Sequence, residues 1–253
     1  MNGPASGRAA RIIACASIAL LLVSCGPPLS RKPTAVPAEA VNPNVPLSAA
    51  FLDVTPAAPK LHELGPCSTG YIAVTHGTLR VVDAELHAGD LAIVEGRADV
   101  ALRGNGTIVF AELRRQQCPA PLKPRLETVR ANGATPLTFA GGKMTALLDA
   151  ESAVSPDAYV GRLRGTVSVA EHTHETSWEI LCAIHASGRF ALGGAQADAA
   201  RLGDRQVIVV PPNTKHAWKP DPGTELEAVQ IYVPPGPEQR FKKLAADEAT
   251  KKK

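Results

Sequence analysis

The sequence predicts an all-β protein, and three observations carry that prediction. From Tyr71 onward short runs of apolar and β-branched residues follow one another, with glycines or polar residues in each gap. One stretch, Glu238–Ala246, has helical spacing instead, placing Phe241, Leu244 and Ala245 on one face. A Gly-Asp pair also precedes an apolar run twice, Gly89-Asp90 before Leu91–Val94 and Gly203-Asp204 before Val207–Val210. Short strands punctuated in this way are expected of a sandwich or barrel.

Residues 1–24 read as a processing signal. Arg8 and Arg11 precede an apolar run from Ile12 to Val23, too short and wrongly flanked for a spanning helix. The run ends in Leu22-Val23-Ser24-Cys25, which resembles a bacterial lipobox. That resemblance implies cleavage before Cys25, acylation of its sulfur and anchorage of the mature chain in a lipid bilayer. Gly26 follows in place of Asp, which for such proteins implies the outer membrane, facing the periplasm. A plain secretory signal or a single-pass anchor is the alternative. Removing the leader leaves 25 basic against 24 acidic residues, a balance that offers no electrostatic case for nucleic acid.

Residues 25–66 are proline-rich and are expected to form a semi-rigid tether, because proline at this density cannot join a sheet interior. Within it Leu47–Val54 is apolar enough to add a strand to a sheet edge. The first half, 67–118, has strand-like runs at Tyr71–Thr75, Thr78–Val82, Leu91–Val94, Val100–Leu102 and Thr107–Leu113. Residues 119–136, with several prolines and the Asn132-Gly133 turn signal, read as a linker. The second half, 137–237, has runs at Leu137–Phe139, Met144–Leu148, Tyr159–Val169, Ile180–Ile184, Arg189–Leu192, Val207–Val210 and Glu227–Val233. Residues 238–253 are a short helix and a basic tail.

Function is carried by Glu171–Glu179, EHTHETSWE, together with Pro211–His216, PPNTKH. His172 and His174 stand two apart, so on a strand both imidazoles share a face. Glu179 follows after a turn, and His216 enters behind a Pro-Pro-Asn-Thr turn. Three imidazoles and a carboxylate suit a first-row divalent metal.

This spacing resembles the cupin superfamily, small double-stranded β-helix barrels with the motifs G-x5-H-x-H-x3,4-E-x6-G and G-x5-P-x-G-x2-H-x3-N. H-x-H-x4-E fits His172, His174 and Glu179, and P-x4-H fits Pro211 and His216. Gly165 stands one residue early, Gly188 two late, Asn213 replaces the turn glycine and Pro220 the terminal Asn. Asparagine tolerates the left-handed turn geometry that the glycine would supply. The resemblance implies cupin barrels in two halves and one metal ion, Fe, Mn, Zn or Ni. Tyr71–Leu113 looks like a degenerate copy without the histidines, so the metal is expected in the second half only.

Around the metal, Trp218 shares the strand parity of His216, as a pocket wall or as a plug of the barrel. Tyr159 and Arg162 are further pocket candidates, or strand-surface residues. Cys67 and Cys118 bracket the first half, as a disulfide suited to the cell envelope or as two free thiols. Cys182, of opposite parity to Glu179, reads as a buried packing thiol. His185 is a further titratable group but lies about 20 Å along an extended strand from Glu179. These features are expected of a membrane-anchored metal binder, with a small-molecule site at the metal. A metal-dependent dioxygenase or isomerase acting on a small oxygenated substrate is the alternative.

Overall fold

The computed structural model describes residues 47–96, 99–115, 120–133, 135–147, 157–194 and 199–251. The leader, the Cys25 motif and Cys118 lie outside them. The first half holds strands β1 (Leu47–Val54), β2 (Lys60–Glu63), β3 (Ser68–Val81) and β4 (Ala84–His87). It continues with β5 (Leu91–Glu95), β6 (Asp99–Arg114) and β7 (Arg125–Val129). All join one antiparallel sheet in the order β1-β6-β3-β5-β7, with β2 added to β6 and β4 to β3.

The long β3 buries residues on both faces. Tyr71 and Ala73 face the second half, while Ile72 and Val74 face a core of their own with Leu79 and Val81. Inward residues thus switch from even to odd numbers along one strand. The cause is a register shift between Val74 and His76, since one bulged residue bends the strand and reverses its parity. Bent this way, the sheet closes over Ile72, Leu86, Val94, Leu102, Ile108 and Phe110, all apolar.

The second half holds β8 (Leu137–Phe139), β9 (Met144–Leu147), β10 (Tyr159–Gly165), β11 (Val169–His172) and β12 (Trp178–His185). After these come β13 (Gly188–Leu192), β14 (Ala200–Leu202), β15 (Gln206–Val210), β16 (His216–Pro220) and β17 (Leu226–Val233). Helix α1 spans Gln239–Lys251. One sheet runs β15-β12-β17-β10-β9-β8 and a smaller one β11-β16-β13-β14. The two enclose a second core, to which Leu163, Leu181 and Ala228 come from the larger sheet and Phe190, Leu202 and Trp218 from the smaller. Alternation explains the larger sheet's other face. Ile180, Cys182, Val229, Ile231 and Val233 point outward and pack against Tyr71, Leu91, Ile93 and Val109 of the first half.

The structure moves four boundaries. Leu47–Val54, placed in the tether, is the edge strand β1 and pairs with β6 along its whole length. Pro46 and Pro56 flank it without entering it, so its ladder stays intact. Arg125–Val129, placed in the linker, is β7 and pairs with β5, again with prolines on either side, Pro124 and Pro136, and none within it. The run Tyr159–Val169 is broken after Gly165, where the Met144 sulfur occupies the space of a Cβ; beyond this break the chain passes from the larger sheet to the smaller. Helix α1 also runs to Lys251, past the expected end at Ala246, because Ala245, Ala246 and Ala249 extend its helix-favouring sequence.

Candidate metal centre

The two sheets bring the four motif residues to one point from three directions. His172 closes β11 and His216 opens β16, and the pairing sets them directly opposite each other. Their ring centroids are 4.1 Å apart. Glu179 comes from β12 in the facing sheet, buried to 4% exposure. His174 lies in the connection between the sheets, where the amide of Asn213 donates to its carbonyl at 2.7 Å. Asn213 has φ 57, so the residue standing for the motif glycine adopts the left-handed turn that aims His216 inward.

The donor atoms of His172, His174, Glu179 and His216 all lie within 4.8 Å of one another. Glu179 Oε2 is 3.0 Å from His174 Nε2 and 2.9 Å from His216 Nε2. The second contact lacks hydrogen-bond alignment, so the His216 Nε2 is buried without a hydrogen-bond partner. The opposite edges of two rings explain its orientation. His172 Nδ1 donates to the Ala170 carbonyl and His216 Nδ1 to the Thr214 carbonyl, each at 2.9 Å. A ring whose Nδ1 holds the proton presents its Nε2 lone pair, as a metal ligand does. These four groups can hold one metal ion.

Burial would raise the Glu179 carboxyl, but contacts from His174, His216 and Gln230 outweigh it and hold the group at about 2. It is therefore ionised at neutral pH. Burial pushes His172 down, toward the neutral form that metal binding needs. His216 is desolvated too, but its contact with Glu179 raises it.

Two residues that sequence reasoning missed complete the site. Gln230 on β17 donates its amide to Glu179 Oε1 at 2.6 Å and fixes the carboxylate plane. Tyr232, on the same face, meets His174 edge-on with centroids 5.2 Å apart. Burial and the Glu179 charge push its phenol well above its usual range, so it stays neutral. The visible signal was Gln230 itself, a lone amide in the apolar run Glu227–Val233.

No protein-family model matches the sequence, and no curated protein matches it. Solved structures do. One, concerned with the Mn(II) centres of Bacillus subtilis oxalate decarboxylase, aligns with a TM-score of 0.59 at 13% identity, over 75% of this chain and 69% of that one. Another, the same enzyme at pH 4.6, aligns with a TM-score of 0.57 at 14% identity, over 74% and 68%. The fold is the cupin fold.

In the second cupin barrel the donors form one wall of a cavity of about 290 Å³. Trp218 lines it, as does Tyr232. Tyr159, expected in the pocket, does not; it pairs with Tyr232 across β10 and β17 and stacks on it at 5.9 Å. Arg162 is bound to Glu227 on the strand surface. His185 is exposed and paired with Asp204 at 3.1 Å, away from the metal ligands. Cys182 is free and buried between the halves, its thiol pushed up to about 12 by desolvation. Cys67 is disulfide-bonded. Among the described residues no helix is long and apolar enough to cross a membrane.

Proposed function

We propose that this chain is a membrane-anchored cupin protein that binds one divalent metal through His172, His174, Glu179 and His216. The convergence of four ligand atoms within 4.8 Å of one another carries the reading, since three imidazoles around one buried carboxylate form a complete donor set for a cation. Manganese is the first metal to test, because the similar Bacillus enzyme has Mn(II) centres. Bound there, the ion would supply Lewis acidity to an oxygen ligand. Gln230 would hold Glu179 in plane, and the two backbone carbonyls would keep the imidazoles in the ligating tautomer.

A native-state ligand at a hundredfold excess over its dissociation constant stabilises by about 2.7 kcal/mol. Loading with Mn(II) should raise the melting temperature of the mature chain, and a chelator should return it. Melting that ignores both ions and chelator removes the reading. The anchor rests on the Leu22–Cys25 string: Cys25→Ser should release the protein from the membrane fraction or leave an uncleaved precursor. Unchanged membrane association at the normal mature mass counts against it.

The cavity reaching the donors favours a second reading, catalysis on a small oxygenated molecule. Tyr232, a neutral phenol beside His174, is the residue placed to hold a proton there.

A further inference from the structure

The cavity beside the metal ligands has a chemistry of its own. Phe139, Leu163, Phe190, Trp218, Phe241 and Leu244 dominate its remaining surface. Among the described lining residues Arg240, exposed on α1, is the one charged side chain outside the donor set. A divalent ion on three neutral imidazoles and one carboxylate carries a net charge of about +1. A monoanion cancels that charge, whereas a dianion leaves a surplus in apolar surroundings, which is strongly disfavoured.

Trp218 adds one directional group. It is 3% exposed, and its Nε1 has no hydrogen-bond partner. Its ring is held in place against Gly188, where a Cβ would stand 2.5 Å from Cη2. A buried donor left unpaired is costly unless a ligand accepts from it. The outer wall is α1. Phe241 stacks on Phe139 at 5.5 Å, yet no residue of the helix is buried. This is the wall with the least packing, and so the entry side.

We propose that the cavity takes a monocarboxylate with an apolar body. Its carboxylate would sit on the metal and accept from Trp218 Nε1, and its body would lie under Phe241. The assignment rests on the metal-binding reading above and narrows its ligand to one class.

The test is calorimetric titration of the Mn(II)-loaded mature protein with benzoate, acetate and oxalate at pH 7, with metal content measured before and after. Benzoate should bind about tenfold more tightly than acetate, as expected from the extra apolar surface buried, and more tightly than dianionic oxalate. Trp218→Phe should weaken benzoate and acetate alike, by about tenfold for a lost buried hydrogen bond. Phe241→Ala should weaken benzoate and leave acetate unchanged. Oxalate or acetate binding as tightly as benzoate to fully loaded protein overturns the ligand class while the metal reading stands. Benzoate binding equally well to metal-free protein overturns it too. Protein that takes up no metal fails at the earlier step, and both readings fall.

Discussion

The two halves of this molecule share a barrel plan and differ in what fills it. In the first, strands β3 and β6 close over the apolar cluster of Ile72, Val74, Leu86, Leu102, Ile108 and Phe110, and the buried carboxylate on the same face of β6, Glu112, is already bound by Arg114. In the second, inward positions carry Glu179, His216, Gln230 and Tyr232, beside a cavity that apolar residues line. A barrel packed with aliphatic side chains gains its stability from burial. One that holds a carboxylate and imidazoles bears a desolvation cost that only mutual contacts or a cation offset. The difference teaches that the first half supports and the second half works. The shared layer of Tyr71, Leu91, Ile93, Ile180, Cys182 and Ile231 ties them into one body.

That contrast can be broken most forcefully at the covalent staple of the first half. Cys67 is disulfide-bonded, and the amides of Arg115 and Leu122, on either side of Cys118 in the sequence, donate to the Cys67 and Pro66 carbonyls. We propose Cys118 as its partner. Cys67→Ser should then cost about 4 kcal/mol in the chain-entropy account of a loop of this size, read as a lower denaturation midpoint. Metal affinity of the remaining folded protein should hardly change. Thiol counting on denatured, unreduced mature chain should find Cys182 alone; three free thiols would end the pairing.

A smaller effect tests the second half without touching a ligand. Gln230→Ala leaves Glu179 Oε1 buried without its donor and should weaken metal binding about 10–100-fold, the usual range for such supporting contacts. A competition titration against a chelating dye measures it. Affinity equal to that of the parent protein would mean that the Gln230–Glu179 bond does not tune the site. A counterpart change in the first half, His87→Ala, should leave metal affinity alone.

The smallest expected effect is at the turn. Asn213→Ala puts a residue poorly suited to the left-handed region at φ 57 and should cost about 1 kcal/mol. Asn213→Gly should be nearly neutral. Thermal melts of the two variants decide this: equal losses would show that the turn conformation does not matter for His216.

Much of the site was legible because its chemistry is local. His172, His174 and Glu179 stand close in sequence, and Pro211–Asn213 announces the turn before His216. Gln230 and Tyr232 were not legible as site residues, because their role depends on which strand lies beside β12. That pairing, β12 with β17, joins segments about fifty residues apart. Tyr159 misled for a different reason: it shares the inward face of β10 with Leu163, but it stacks on Tyr232 and does not reach the cavity. Strand β1 was visible only as a possible edge, since the surrounding prolines dominate composition while its ladder contains none.

The central claim is that one half binds metal and the other does not, and stoichiometry tests it most directly. Mature chain reconstituted with Mn(II), desalted and subjected to elemental analysis should hold one ion per chain. His172→Ala and His216→Ala should each lose it, because three donors in a site built for four bind far more weakly. Two ions per chain, or one ion retained in full by either variant, would contradict the division of labour between the halves.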